Sequence, residues 1–295
     1  MRRGLPFLIV ATLLWSGNYI AGRILAVVLP PLLLNGIRWV ISFLLLWGIL
    51  IFQRRRLPLF RHWKPLLVLG ITGMFAFSSL TYLGLKTVPA AQAGMISGSI
   101  PVAILVLSVF VLKERPTVLG WVGVVLSVFG VFVLLGLSND GSNFVFSDGD
   151  AALIVAAVSW GLYTVLGKHY GALLDPLTMT AGAAFYGAVP SALAGVLRWP
   201  AGGIRMTSVA WVSLVYVSTM ASVVAYLVWT LGVESVGASR SAPFMNLLPI
   251  WTVVLGVILL HEQVTANEWV GGSITILGAV LTSLKGRKKE AKLSM

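Results

Sequence analysis

Two stretches decide the fold: 84-GLKTVPAAQAGMISGSIPVAILVLSVFVLKERPTVLGWVGVVLSVFG-130 and 232-GVESVGASRSAPFMNLLPIWTVVLGVILLHEQVTANEWVGGSITILG-278. Each is a membrane-length apolar run, a short charged break and a second apolar run. Laid together, Gly84 falls on Gly232, Val88 on Val236, Ala90 on Ala238 and Pro101 on Pro249. Glu114 then falls on Glu262, Trp121 on Trp269 and Gly130 on Gly278. Upstream, a slightly shorter shift places Trp15 on Trp160, Gly22 on Gly167, Arg23 on Lys168 and Pro31 on Pro176. One small insertion in the later half reconciles the two registers. Matching from the first apolar run to the last is the mark of a long internal repeat.

Working outward, apolar windows of about 17–25 residues recur at roughly 5–27, 32–52, 65–84, 89–112, 117–137, 150–168, 176–197, 208–231, 238–260 and 268–284. Of the 295 residues, 58% are hydrophobic and 10% charged, and the mean hydropathy is +0.95. A water-soluble chain of this size needs more charge to cover its surface. Every span must be helical, because a lone strand leaves its backbone groups unpaired in hydrocarbon. The fold class expected is all-α integral membrane, with ten transmembrane helices as two inverted five-helix repeats. The first repeat covers 1–137 and the second 150–284, with a connector at 138–149 and a basic tail at 285–295. Arg2-Arg3 before an apolar run imitates a signal peptide, but nine further spans follow, so a retained first helix is expected.

The net charge of +12 would suggest nucleic acid in a soluble protein. Here the cations cluster between apolar runs, which is how membrane topology is set. Arg2, Arg3, Arg54, Arg55, Arg56, Arg61, Lys64, Lys113, Arg115, Lys168, Lys285, Arg287, Lys288, Lys289 and Lys292 fall on one side. Arg23, Lys86, Arg198 and Arg205 fall on the other, with the acidic connector Asp140, Asp148 and Asp150. The bias predicts both termini in the cytoplasm and a bacterial inner-membrane location. Cysteine is absent, which removes disulfides, thiolate nucleophiles and thiolate metal sites.

An odd number of spans per half turns the second half upside down relative to the first. Inverted repeats suit alternating access, with substrate near the midplane between the halves. The opening run Leu14-Trp15-Ser16-Gly17-Asn18-Tyr19 and the pair Arg38-Trp39 fit a known family, as do Pro101 with Lys113-Glu114-Arg115 and Pro249 with His261-Glu262. The chain resembles the drug/metabolite transporter superfamily, in its EamA-type ten-helix branch, over nearly its whole length. That resemblance implies a secondary exporter of amino acids, related metabolites or drugs. It points most nearly to bacterial amino-acid exporters, the aromatic-amino-acid exporter among them. It also implies that the third, fourth, eighth and ninth helices line the cavity.

The candidate substrate-binding residues are polar or aromatic groups at membrane depth. Trp15 with Asn18, and Trp160 with Tyr163, are each three apart and share a helical face. They suit cavity lining better than an interfacial belt, because neither tryptophan is at a span end. Ser78, Tyr82, Tyr226 and Trp229 lie on the third and eighth spans, where hydroxyls serve either substrate or interhelical packing. Met95 is a flexible apolar contact on the fourth span, and Asn246 is an amide on the ninth that must find a partner. Pro101 and Pro249 lie near mid-span and are read as symmetric kinks with a gating role, against the alternative of shaping packing only. Arg38 is the costliest residue, at about 2.5–3.5 kcal/mol on insertion scales. It either faces a substrate carboxylate or makes a fixed contact with helix carbonyls. Its counterpart is Ala183, so its role is confined to one half.

The acidic residues fall in loops or near span ends, as do His62, His169 and His261. A coupled pump usually needs a carboxylate at mid-membrane to carry its proton or sodium. Gradient-driven facilitated transport is therefore expected, with no cofactor and no metal. A membrane-embedded enzyme would want a titratable cluster at depth, and none is visible. A channel predicts flux without saturation. The partners expected are a small-molecule substrate and membrane lipid.

Overall fold

The computed structural model describes residues 4–136, 147–171, 173–236 and 242–283. Most of the predicted connector, the basic tail, Arg2, Arg3 and Arg240 lie outside the described residues. Every regular element among the described residues is helical. We number the helices α1 (Leu5–Ala26), α2 (Pro31–Phe52), α3 (Trp63–Leu85), α4 (Ala90–Val111) and α5 (Val118–Gly136). The series continues with α6 (Asp148–Tyr170), α7 (Pro176–Leu197), α8 (Ser208–Gly232), α9 (Phe244–Leu260) and α10 (Ala266–Ser283). The first eight are long and apolar enough to cross a bilayer, and α9 is a shorter apolar helix. The tenth runs beside α5, in the most extensive helix pairing of the molecule.

Local chemistry sets the starts of several helices. Ser147 and Asp150 form a reciprocal capping box at α6, Asp175 caps α7 through Thr178 N, and Thr207 caps α8 through Ala210 N. Proline occupies the first turn of α1, α2 and α7, where its missing N–H has no partner to lose.

Three pairings organise the bundle: α2 against α7, α5 against α10, and the first half of α4 against α9. Around them, α1 packs on α8 and α9, while α6 packs on α3 and α4. At its glycines the α5–α10 seam leaves no room for a side chain. A Cβ added at Gly123 would sit 2.6 Å from Gly278 O, and one at Gly278 would sit 2.7 Å from Gly123 O. Without a hydrophobic drive between helices in lipid, such backbone approach supplies the packing contact.

Four irregularities interrupt the helices. Within α3, Gly70–Phe77 is π-helical, and within α8, Met220–Val224 is π-helical. In α4 the chain turns at Gly98–Ser99 before Ile100–Val111, and a 3₁₀ turn, Ala242–Asn246, leads into the Leu247–Leu260 stretch of α9. Under the register that sets Gly84 on Gly232, the π segments overlap and the two breaks coincide. A proline follows each break. Pro101 and Pro249 sit in the first turn of the segment after each break, where proline starts a helix readily.

Candidate functional site

The centre is built around Arg38, which is 5% exposed. Its Nε donates to Ser222 Oγ at 2.7 Å, and its Nη1 donates to Tyr82 Oη at 2.7 Å. Tyr82 in turn donates to Asn18 Oδ1 at 3.2 Å. The guanidinium lies 4.9 Å from the Trp39 ring centre and 5.7 Å from that of Tyr82. No carboxylate pairs with it among the described residues. The partners are hydroxyls and rings rather than the helix carbonyls considered from sequence. Bonds to a charged group contribute about 1.5–3 kcal/mol each, so two of them offset an insertion cost of about 2.5–3.5 kcal/mol. Among the described residues Arg38 is held without a counter-ion.

The surrounding helices fix this geometry. Ser42, one turn on from Arg38, donates to Arg38 O and Ser218 O, which ties α2 to α8. Trp39 Nε1 donates to Ser78 Oγ at 3.2 Å, so Ser78 orients the ring beneath the guanidinium. Asn35 Nδ2 reaches Met74 O, Ser79 Oγ and Ser191 Oγ, joining α2 to α3 and α7. The π segments supply groups that a regular helix would keep. Ser222 lies within the one in α8, and Ala221 O in the same segment accepts from Trp15 Nε1 at 3.1 Å. In α3, Thr72 O accepts from Ser159 Oγ at 2.8 Å. Single π turns inside helices recur at functional sites for this reason.

An aromatic group stands beside the arginine. Trp15 meets Tyr226 edge-on at 5.4 Å and Trp229 at 5.4 Å. Trp160 lies 4.6 Å from Phe77 and 5.0 Å from Tyr163. Tyr226 also lines a cavity of about 260 Å³ with Leu46, Thr180, Leu227 and Leu231. This cavity lies toward the end of α2 that carries Arg54, Arg55 and Arg56. At the opposite end, the space among Tyr19, Ser97, Ile100 and Leu153 has no room for a water. Two carboxylates hold that closed end: Glu262 accepts from Ala90 N and Ala91 N, and Asp150 accepts from Gln92 Nε2.

The structure thus brings Trp15, Asn18, Arg38, Tyr82, Tyr226 and Trp229 together, with Ser78 one contact behind and Trp160 and Tyr163 alongside. Met95 is elsewhere: its side chain lies against Gly272 on α10. Asn246 closes the 3₁₀ turn at the start of α9, and its Nδ2 has no hydrogen-bond partner among the described residues. Ser222 was not singled out from sequence, since a serine among small residues carries no signal of its own. Asn35, three residues before Arg38 on an apolar helix, did carry one.

Beside the cavity, at the start of α7, Asp175 caps the helix and pairs with Arg55. Partial burial works to raise its pKa, but hydrogen bonds from Thr178 and the Arg55 guanidinium prevail and hold it below the ordinary 3.8. Lys168 pairs with Glu114 on the same side. No group of three or more His, Asp or Glu able to hold a metal occurs among the described residues.

A family model described as the EamA-like transporter family matches the chain twice, over residues 2–136 and 148–284. The "Uncharacterized transporter YvbV" of Bacillus subtilis is 29% identical over 97% of this chain and 92% of its own length. "Uncharacterized transporter YoaV" of the same organism is 25% identical over 94% and 95%. The "Uncharacterized inner membrane transporter YedA" of Escherichia coli K12 is 25% identical over 92% and 88%. A crystal structure 23% identical in sequence superposes with a TM-score of 0.69, covering 95% of this chain and 96% of that one, which shows the shared fold. The chain belongs to the EamA-like transporter family: it is a multi-pass membrane transporter and not an enzyme.

Proposed function

We propose that the protein is a facilitative secondary transporter that exports amino acids or related small metabolites across the inner membrane by alternating access. The observation that carries this reading is Arg38, buried and cationic, with Tyr82 and Ser222 as its hydrogen-bond partners and no carboxylate among the described residues. A carboxylate-bearing substrate supplies the missing charge, and Trp15, Tyr226 and Trp229 offer flat apolar faces to its side chain. The domain reading is two inverted halves, 1–137 and 150–284, with both termini cytoplasmic. It is supported by the double family match and by the coincident breaks and π segments of α3, α4, α8 and α9. The open cavity beside Tyr226 and the tight opposite end fit one stage of such a cycle. Pro101 and Pro249, each following a break, are the gating positions in this scheme.

The test is uptake of a panel of labelled amino acids into proteoliposomes. Saturable flux with counterflow is expected. Flux that never saturates would make the protein a channel, and uphill flux driven by a pH or sodium gradient would end the facilitative reading. Export of drugs or other metabolites is the second reading. It is favoured by the mostly aliphatic lining of the cavity, with Leu46, Leu177, Leu227 and Leu231. Counterflow by apolar cations and none by any amino acid would select it.

A further inference from the structure

We infer that the loop joining α2 to α3 is a docking surface for anionic phospholipid. Residues 53–64 carry Arg54, Arg55, Arg56, Arg61 and Lys64, and the chain has no Asp or Glu before Glu114. Arg55 is engaged by Asp175, which pins the loop to the start of α7. Arg54, Arg56 and Arg61 are exposed and form no ion pair among the described residues. A dense basic segment directly beside a membrane helix attracts acidic headgroups.

Topology alone asks only for charge on this side. The loop also presents rings: Phe52 is 90% exposed and Phe60 is 87% exposed, the two highest values among the large hydrophobics described. Trp63, at the start of α3, is 47% exposed. Rings at a helix end settle at headgroup depth, where their faces meet glycerol and the first methylenes. Guanidiniums interleaved with them match the oxygens of a phosphodiester. A free phosphate would use the arginines and leave the phenyl rings in water, so the rings favour a lipid. The backbone places the charges: Arg54 N and Arg55 N bond back to Ile51 O and Leu50 O, both at 2.8 Å. Arg54 takes the left-handed conformation, φ 56°, that glycine adopts without strain. The reversal keeps Arg54, Arg55 and Arg56 beside the membrane end of α2.

The experiment uses the full chain in neutral detergent, offered equal amounts of phosphatidylglycerol and phosphatidylcholine, with retained lipid read by native mass spectrometry. Preferential retention of phosphatidylglycerol is expected, falling on the order of a hundredfold in R54Q/R56Q/R61Q and clearly in F52S/F60S. R198Q/R205Q, at the other end, should retain the wild-type amount. Equal retention of both lipids would overturn the proposal, as would wild-type retention in the triple arginine variant. Displacement of the lipid by inorganic phosphate, with F52S/F60S unaffected, would make the patch a free-anion site and overturn it too. Should the triple variant fail to fold, raising the salt on the wild-type protein must abolish the preference. Persistence at high salt counts against the docking surface.

Discussion

Glu262, just beyond the end of α9, caps the helix that Ala90 begins: its carboxylate accepts from Ala90 N at 2.7 Å and from Ala91 N at 2.8 Å. α4 cannot cap itself, because the residue before Ala90 is Pro89 and no local side chain bonds to its first turn. The left-handed His261, φ 53°, turns Glu262 back, and Gly256 leaves space for it, since a Cβ there would lie 2.7 Å from Glu262 Oε2. Removing a capping acceptor costs about 0.5–2 kcal/mol. E262A should therefore lower the unfolding temperature in detergent, and E262Q, which keeps an acceptor but loses the charge, should lie between. Equal unfolding temperatures for all three proteins would show that this cap contributes nothing.

Arg38 and Tyr82 separate a structural role from a binding one. R38Q removes the charge yet can keep a donor to Ser222 or Tyr82, so the fold should persist while amino-acid counterflow drops by about tenfold or more, a change of about 1.4 kcal/mol. Y82F removes the acceptor of Arg38 Nη1 and the donor to Asn18. It should cost about 1–3 kcal/mol of stability, because it leaves a buried donor unpaired. Counterflow at the wild-type rate in R38Q would remove the arginine from the substrate site.

The aromatic set makes a third expectation. W15F retains an apolar face but loses the indole N–H that reaches Ala221 O, and W15A loses both. Flux should fall modestly in the first and severely in the second, with Tyr82→Ala and Trp160→Ala also impaired. Untouched flux in W15A, Y82A and W160A together would dismiss the cavity assignment.

Much of this was legible in the sequence, for reasons that particular residues make clear. The third span, read as 65–84, is Trp63–Leu85, because an unbroken apolar run defines a membrane helix by length alone. Trp15, Asn18 and Arg38 announced themselves as polar or bulky groups at depth. Ser222 did not, since its approach to Arg38 depends on the π turn at Met220–Val224, a backbone choice that composition does not encode. Met95 was unreadable for a related cause. Met95 lies in the segment Ala90–Ser97, whose packing against α10 sets its side chain against Gly272. Pro101 and Pro249 were legible as prolines at mid-span, while the breaks just before them, at Gly98–Ser99 and Ala242–Asn246, were not.

Asp175 gives a pH dependence with a definite sign. Its folded pKa lies below the ordinary 3.8, so the contribution of its cap and its pair with Arg55 is fully present above that value. It is lost as the pH falls from 3.8 through the lower folded value. D175N should unfold at a lower temperature than wild type at neutral pH, and the gap should close only below pH 3.8. A gap that stays constant into strong acid would mean that the carboxylate charge plays no part.

The α5–α10 seam yields the final expectation, and it distinguishes backbone packing from lipid-facing tolerance. A Cβ at Gly130 would lie 2.6 Å from Thr275 Oγ1 and 2.8 Å from Gly271 O, so even alanine must push two helices apart. Overpacking of this kind costs about 1–3 kcal/mol. On the same helix Phe129 is 56% exposed and faces away from the seam. G130A should therefore lower the unfolding temperature clearly, while F129A, larger in side-chain change but mostly exposed, should lower it less. The reverse order would mean that α5 and α10 meet through another face.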